Sequence, residues 1–406
     1  MKVIVIGAGI GGLAASIALR QDGHDTVVYE RVSDLRPVGA AISVWSNGVK
    51  VLAKYGLLDR VKRVSGMMER MAYRQWDNGD VYCDFDLNPL YEEAKMRAYP
   101  IARSELQAML LDANKPAPVH LSKTAVSYET TAEGVTVHFH DGTSDTGDFV
   151  VISDGTHSKL RNQITGTSIV RDYVGYVNFN GAIEKSKLGH LLPSDTWTQF
   201  VGDGKRVSFM PMSDTHFYFF LDVTTPTGTT PSDSAQWKPF LAEYFSGWAQ
   251  AVQTLIAEMD VGRVARVEIH DTQRLPTLID REGGRALIIG DAAHATSPDI
   301  GQGGCQALED TFVVQRLLRK HGLSGKASGR PTTEALRGVL DEYEALRADR
   351  CAVLVQRARQ RSNITHRLGD PKETEAWYEE LKAEDGKGIM SGILKTILSA
   401  PKELDE

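Results

Sequence analysis

Three short stretches carry residue types suited to holding a long anionic ligand. The first is "GAGIGG", residues 7–12. Gly7 would permit a tight strand-to-helix turn, Gly9 the approach of a pyrophosphate to the backbone, and Gly12 close packing of helix on strand, with Gly11 between them. The helix that starts here offers free N–H groups and a positive dipole end to phosphates. Glu30, 23 residues after Gly7, is placed to accept from ribose hydroxyls, with Arg31 beside it. The second stretch is "SDGTHSKLR", where Asp154 precedes a basic helix start. Alone it reads as well as a plain turn as it does as a ligand contact. The third is "IIGDAAHATSPDIGQGG". Gly290 and Asp291 end a buried strand, where a carboxylate can accept from a sugar hydroxyl. Pro298 and Asp299 then lead through Gly301, Gln302, Gly303 and Gly304 into a second helix N-terminus. Two helix starts aimed at anionic groups, far apart in the chain, imply one long ligand touched at both ends.

The elements that must position these residues follow from periodicity. "KVIVIG", a helical "GIGGLAASIALRQDG" ending at Gly23, and "DTVVYE" form a βαβ unit of the kind a dinucleotide fingerprint requires. "SNGVKVLAKYGLLDRVKRV" reads as one helix, "MAYRQWDNGDVYCDF" as a hairpin turning at Asn78-Gly79, and "SELQAMLLDAN" as a helix capped by Ser104. A meander follows over residues 125–152. Residues 172–270 are rich in strands, interrupted by one helix at "SAQWKPFLAEYFSGWAQAVQTLIAEM". Long helical patterns run from about residue 303 to 365, followed by a charged tail. The organisation expected is a nucleotide-binding part over 1–171, a β-rich substrate domain over 172–274, a return to the nucleotide-binding part over 275–345 and a helical segment over 346–406.

In the β-rich part, strand parity makes a specific prediction. If "RVSFMPM" and "HFYFFLD" pair around a three-residue loop at Ser213–Thr215, then Met212 faces His216, and Arg206, Met210 and Tyr218 share one face. Tyr176, Asn178 and Asn180 alternate with Val177 and Phe179, giving either a hydrogen-bonding wall for a ligand or the wet face of an edge strand. His157 and His294 stand apart from other ligand types in the sequence, so no metal is expected. "RADRCAVLVQRARQR" reads as a solvated helix face.

With a net charge of −7 the chain has no basic footprint for nucleic acid. Cys83, Cys305 and Cys351 are odd in number and widely spaced, which fits a reducing cytoplasm. Glycines break the apolar run near Lys2, so neither a signal peptide nor a membrane span is expected.

The set "GAGIGG…E", "DGTHS…R" and "GDAAHATSPDIGQGG", in this order, resembles the single-component FAD-dependent aromatic hydroxylases over most of residues 1–360. The resemblance implies an α/β fold: a Rossmann-type FAD-binding domain of the para-hydroxybenzoate-hydroxylase kind, an inserted β-rich substrate domain and C-terminal helices. It implies FAD as the cofactor and NADH or NADPH as a transient reductant, and it makes Arg103 in "IARSEL" the arginine that reaches the FAD phosphates. "PVGAAISVWSNGVK", "GYVNFNGAI", "GKRVSFMPM", "FYFF", "PDIGQGGC" and "TEAWYEEL" resemble the bacterial FAD-dependent urate hydroxylases of purine catabolism. That likeness implies O₂-dependent hydroxylation of urate at C5 to 5-hydroxyisourate. Arg206 would be the active-site arginine and Tyr218 the substrate-side tyrosine; Asn178 is a substrate-binding candidate only through the strand alternation above.

From the residues alone, Arg206 reads as a surface charge and Tyr218 as core filler rather than as site residues. Asp299 would orient or deprotonate the substrate, or merely cap its turn. Two other readings stay open: a hydroxylase of a phenolic or hydroxypyridine carboxylate, and a flavin-binding protein without turnover. Neither the reductant nor the choice between monomer and homodimer follows from the sequence.

Overall fold

The structure is a computed structural model, described for residues 1–35, 40–324 and 330–405. The first three residues of "PVGAAISVWSNGVK" lie outside the described residues.

The short apolar runs form a five-stranded parallel sheet in the order Ala286–Ile288, Phe149–Ile152, Lys2–Ile6, Asp25–Tyr29, Val119–His120. Its central strands are buried on both faces, as parallel strands covered by helices must be. The helix Ile10–Gln21 makes the crossover between the first two strands of the chain, and Gly303–Lys320 packs against it. The predicted meander forms its own three-stranded antiparallel sheet from Ala125–Thr130, Val135–Phe139 and Ser144–Gly147.

A seven-stranded sheet forms the second layer, in the order Ala265–Asp271, Asp172–Glu184, His216–Thr224, Lys205–Pro211, Thr196–Gly202, Arg70–Gln75, Val81–Asp86. One face is apolar: Val177, Phe179, Val207, Phe209, Phe217, Phe219 and Leu221 pack on the helices Trp237–Tyr244 and Gln250–Glu258. The opposite face carries the alternate residues, including Tyr176, Asn178, Asn180, Arg206, Tyr218 and Asp222. Arg206 pairs with Asp222 and Met210 with Tyr218, and the Met212 N–H donates to the His216 carbonyl at 3.0 Å. This is the register of the three-residue loop. Asp172–Glu184 lies between two neighbours and is not an edge strand, so its polar face is interior.

Several local expectations are corrected. The hairpin at residues 70–86 belongs to the substrate sheet, not to the nucleotide-binding part. Its turn is longer than the two residues expected: Gln75 and Asp80 close a loop that contains Asn78 and Gly79. The helix expected over 46–64 is two, Ser46–Lys54 and Leu58–Val64, parted at Gly56 with φ +78°. The helix expected in the β-rich part likewise breaks near Gly247, at φ +78°. Ser104 is not a cap; the helix Arg103–Ala113 is preceded by Ala102. The helix Thr333–Thr365 runs unbroken through the boundary expected at residue 345.

Nor is "RADRCAVLVQRARQR" a solvated face. Arg347 is fully buried, with Nε 2.6 Å from Asp310 Oδ1 and Nη1 2.6 Å from Glu309 Oε2, and Arg359 binds Asp271. Buried guanidinium groups demand such partners.

Candidate active site

The three glycine-bearing motifs converge at the carboxyl ends of three adjacent parallel strands, the place where open α/β sheets hold ligands. Gly7 sits at φ +103°, and a Cβ there would lie 2.2 Å from the Ser153 carbonyl oxygen. A Cβ on Gly12 would lie 1.9 Å from the Gly7 carbonyl oxygen. Both glycines are required by the protein itself. Gly9 is different: its φ is −75° and a Cβ would meet nothing within 4 Å. No backbone or packing demand explains that glycine, whereas a cofactor lying on the helix N-terminus does.

Glu30 ends its strand as expected and braces the loop: Oε2 accepts from Ala8 N–H at 2.8 Å and Oε1 from Val32 N–H at 3.1 Å. Arg31 is exposed and lies close enough to Asp154 to favour its ionised form. Burial pushes the Asp154 carboxyl above its ordinary range, against the pull of Ser158, Arg161 and Arg31. Its Oδ1 is buried and has no hydrogen-bond partner among the described residues, as an atom waiting for a ligand donor would be. Arg161 joins this motif to the third, donating to the Ala292 carbonyl at 3.2 Å.

Asp291 is exposed on the far side of the crevice, facing the N-terminus of Gly303–Lys320. Gly290 and Gly301 adopt positive φ, 59° and 62°, to make the turns there. Gly304 is needed for packing, since a Cβ would lie 2.4 Å from Ile42 Cδ1, whereas Gly303 has only ordinary contacts. Pro298 is exposed and starts the short turn Pro298–Ile300. The Gln302 side chain points inward, accepting from Asn47 Nδ2 at 2.9 Å, so only its backbone remains for a cofactor. Arg103 begins its helix on the side that bears Gln107, whose Nε2 donates to the Ala8 carbonyl at 3.2 Å. Its guanidinium has no partner among the described residues, and it acts electrostatically on Tyr218. The residues present therefore fit FAD: a glycine cradle, an arginine for phosphates, and unpartnered carboxylate oxygens for sugar hydroxyls.

Across the crevice stands the polar face of the substrate sheet. Arg206 is 5 % exposed; its Nε lies 2.8 Å and its Nη2 2.7 Å from Asp222 Oδ2, while Nη2 is also 3.0 Å from Asp299 Oδ1. Nη1 makes no hydrogen bond among the described residues. Asp299 thus ties the Gly-rich loop to the sheet. Its Oδ2 accepts from Tyr176 Oη at 2.8 Å and from Ser362 Oγ. Burial alone would raise the Asp299 carboxyl, but Arg206, His366 and Ser362 hold it well below the usual range. Asn178 Nδ2 donates to Asp222 Oδ1 at 2.6 Å, and Asn180 Nδ2 to Asn178 Oδ1 at 2.8 Å. Burial pushes the Tyr218 hydroxyl above its ordinary range, and that hydroxyl has no hydrogen-bond partner among the described residues.

Four members of this cluster carry no site role in the sequence reading. Asp222 shares strand parity with Tyr218, and a lone acid in "HFYFFLDV" is a usable signal. In the sequence Tyr176 stands out only as part of a polar strand face. Ser362 lies in the last turn of the helix Thr333–Thr365 and His366 is the residue that ends it; neither gives a sequence signal. His366 Nε2 is 3.6 Å from Asp299 Oδ1 and 3.7 Å from Asp222 Oδ2, and its ring stacks on Tyr176 at 4.0 Å. The expectation for His294 is also corrected: it is not isolated, because Asp310 and Cys351 lie with it, one ligating atom of each within 4.8 Å of the others.

The FAD binding domain family matches residues 1–358. The chain is 46% identical over 401 residues to an FAD-dependent urate hydroxylase of Klebsiella pneumoniae, covering 99% of this chain and 100% of the relative. It is 43% identical over 403 residues to one from Mycolicibacterium vanbaalenii, covering 99% and 98%. The crystal structure of Klebsiella pneumoniae HpxO complexed with FAD and uric acid superposes with a TM-score of 0.90 at 46% identity, covering 99% of this chain and 97% of that one. A buried arginine facing a crevice built for FAD, in a chain alike from end to end, places it: this chain belongs to the FAD-dependent aromatic hydroxylases, among the FAD-dependent urate hydroxylases.

Proposed function

We infer that the chain hydroxylates urate at C5 to give 5-hydroxyisourate, consuming O₂ and NADH or NADPH. The observation that carries this reading is Arg206, held by Asp222 and Asp299 against the Gly-rich loop in a chain that matches urate hydroxylases over its whole length. Bound and reduced, FAD would activate O₂ for transfer of one oxygen atom to an electron-rich ring. The helix start at Gly9 and the Arg103 guanidinium would take its phosphates. Glu30, Asp154 and Asp291 would accept from its hydroxyls, and the helix start at Gly303 would face the flavin's carbonyl end.

The rest falls to the polar face of the sheet. Arg206 presents Nη1, a planar donor that is always charged, to an anionic purine. Asp222 and Asp299 fix the other two nitrogens, so the guanidinium is oriented before substrate arrives. Asp299, held ionised, is a weak base; its role is to aim Arg206 rather than to take a proton from urate. Asn178 acts through Asp222, and Tyr218 offers a free hydroxyl on an apolar body. Tyr176, Ser362 and His366 close the back of the cluster against water.

The test is NADH oxidation by the FAD-loaded protein across a panel of ring compounds. Urate should stimulate oxidation and be consumed close to one per NADH. Stimulation by salicylate with none by urate would reassign the substrate to a phenolic carboxylate. FAD that NADH does not reduce even with urate present would remove the catalytic reading altogether.

A further inference from the structure

A line of hydrogen bonds on the polar face of the substrate sheet starts at Arg206 and ends on the cofactor side of the crevice. Arg206, Asp222 and Asn178 stand opposite one another on three neighbouring strands, in one cross-strand row. Asn180 follows on the same face, two residues along its strand. Arg206 reaches Asp222 Oδ2 through Nε at 2.8 Å and Nη2 at 2.7 Å. Asp222 Oδ1 accepts from Asn178 Nδ2 at 2.6 Å, and Asn178 Oδ1 accepts from Asn180 Nδ2 at 2.8 Å. Asn180 Oδ1 then leaves the sheet and accepts from the Ala40 N–H at 3.2 Å. The Ala40 carbonyl in turn accepts from the Arg103 N–H at 3.1 Å. Ala40 leads into the strand Ala41–Val44, which pairs with Tyr99–Ala102 directly before Arg103 starts its helix. Just beyond, the chain packs on the Gly-rich loop: a Cβ on Gly301 would lie 3.0 Å from Ser43 Oγ and 2.7 Å from Trp45 Nε1.

The two ends of this line fix its direction. A carboxylate only accepts and a backbone N–H only donates. Asp222 therefore requires the Asn178 amide nitrogen, which turns the Asn178 oxygen towards Asn180. Ala40 requires the Asn180 oxygen, which turns the Asn180 nitrogen back towards Asn178. Neither amide can flip without setting donor against donor or acceptor against acceptor. Asp222 is fully buried and both asparagines are buried, so water does not stand in for a lost partner. Strand pairing demands no polar side chain at either position, and burying one is costly unless it is bonded.

We propose that Asn178 and Asn180 are positioning residues that tie substrate occupancy at Arg206 to the grip on FAD at Arg103. This rests on the urate and FAD binding inferred above. An anion at Arg206 Nη1 pulls on the guanidinium that Asp222 holds. A line of bonds with one orientation passes that pull through Ala40 to the strand pair that carries Arg103. By linkage, urate tightens FAD by the same factor that FAD tightens urate. Asn180 does this without touching either ligand.

The test reads the dissociation constant of FAD from flavin fluorescence as the loaded protein is diluted, with and without saturating urate. In the unaltered protein urate should lower that constant about tenfold. Asn180→Asp keeps an acceptor for Ala40 but sets two acceptors together at Asn178, and there the urate effect should shrink to about twofold or less. Asn180→Leu fills similar space without a hydrogen bond and should shrink it equally. A residue that served packing alone would lower the melting temperature of the variants and leave the urate effect intact, which would overturn the proposal. So would FAD affinity that urate does not change in the unaltered protein. The flavin absorbance spectrum separates this failure from that of the substrate assignment. A spectrum that urate does not perturb would remove the urate reading and the proposal with it. A perturbed spectrum with an equal urate effect in the variants would overturn the coupling alone.

Discussion

Arg206 sets one fixed positive charge against two buried carboxylates, and that imbalance defines what its replacement should do. Removing it leaves Asp222 and Asp299 uncompensated, a loss of about 3–5 kcal/mol for a buried pair. Arg206→Ala should therefore lower thermal stability while FAD, held by other elements, stays bound. Arg206→Lys keeps the charge but loses the planar fork that reaches both carboxylates and still presents a donor. Its coupled hydroxylation should fall on the order of 10²-fold, read as product formed per NADH consumed. Normal coupling in the lysine variant would remove the orienting role. At this scale the sequence places Arg206 and Tyr218 on one strand face, and the structure sets that face and Asp299 together at the crevice. Ser362 and His366 were not legible in it, because they enter from a helix more than sixty residues beyond the loop they touch.

Among elements, the strand-to-helix turn of the first motif separates what a glycine does for the fold from what it does for a ligand. A methyl group on Gly12 would overlap the Gly7 carbonyl, whereas one on Gly9 meets open space. Gly12→Ala should lower the melting temperature and the yield of folded protein. Gly9→Val should leave the melting temperature of the FAD-free protein unchanged and lose most bound FAD, measured by the flavin-to-protein absorbance ratio. The strands of the substrate sheet were readable by parity, since the loop Ser213–Thr215 fixes their register and one face must be apolar. The breaks at Gly56 and Gly247 were not, because the apolar spacing continues through them and only the left-handed turn interrupts the helix.

For the molecule as a whole, the chain crosses between its two layers repeatedly. Residues 70–86 leave the nucleotide-binding part to complete the substrate sheet, and the helix Thr333–Thr365 spans both. None of the described helices is long and apolar enough to cross a membrane. One buried group predicts how the assembly meets acid. His24 has both ring nitrogens buried and unpartnered, and burial lowers its pKa from 6.5 to about 4. The unfolded chain then binds a proton that the folded one refuses, between those two values. The contribution is neutral above pH 6.5, turns against the fold as pH falls towards 4, and is constant below that. Its full size is on the order of 3 kcal/mol. His24→Gln should flatten the decline of the melting temperature between pH 7 and pH 4; an unchanged slope would assign the acid sensitivity elsewhere.

The sequence by itself determined the cofactor crevice, because glycines at strand ends and alternation along strands are local demands of backbone geometry. Only the tertiary structure decided the charge pairing. Tyr176, Arg206, Asp222, Asp299, Ser362 and His366 come from five separate stretches of chain, and Arg347, His294, Asp310 and Cys351 from three. "RADRCAVLVQRARQR" looks solvated in one dimension because its partners lie elsewhere; inside the protein, where water cannot screen them, those charges stand only if the fold brings their opposites to them.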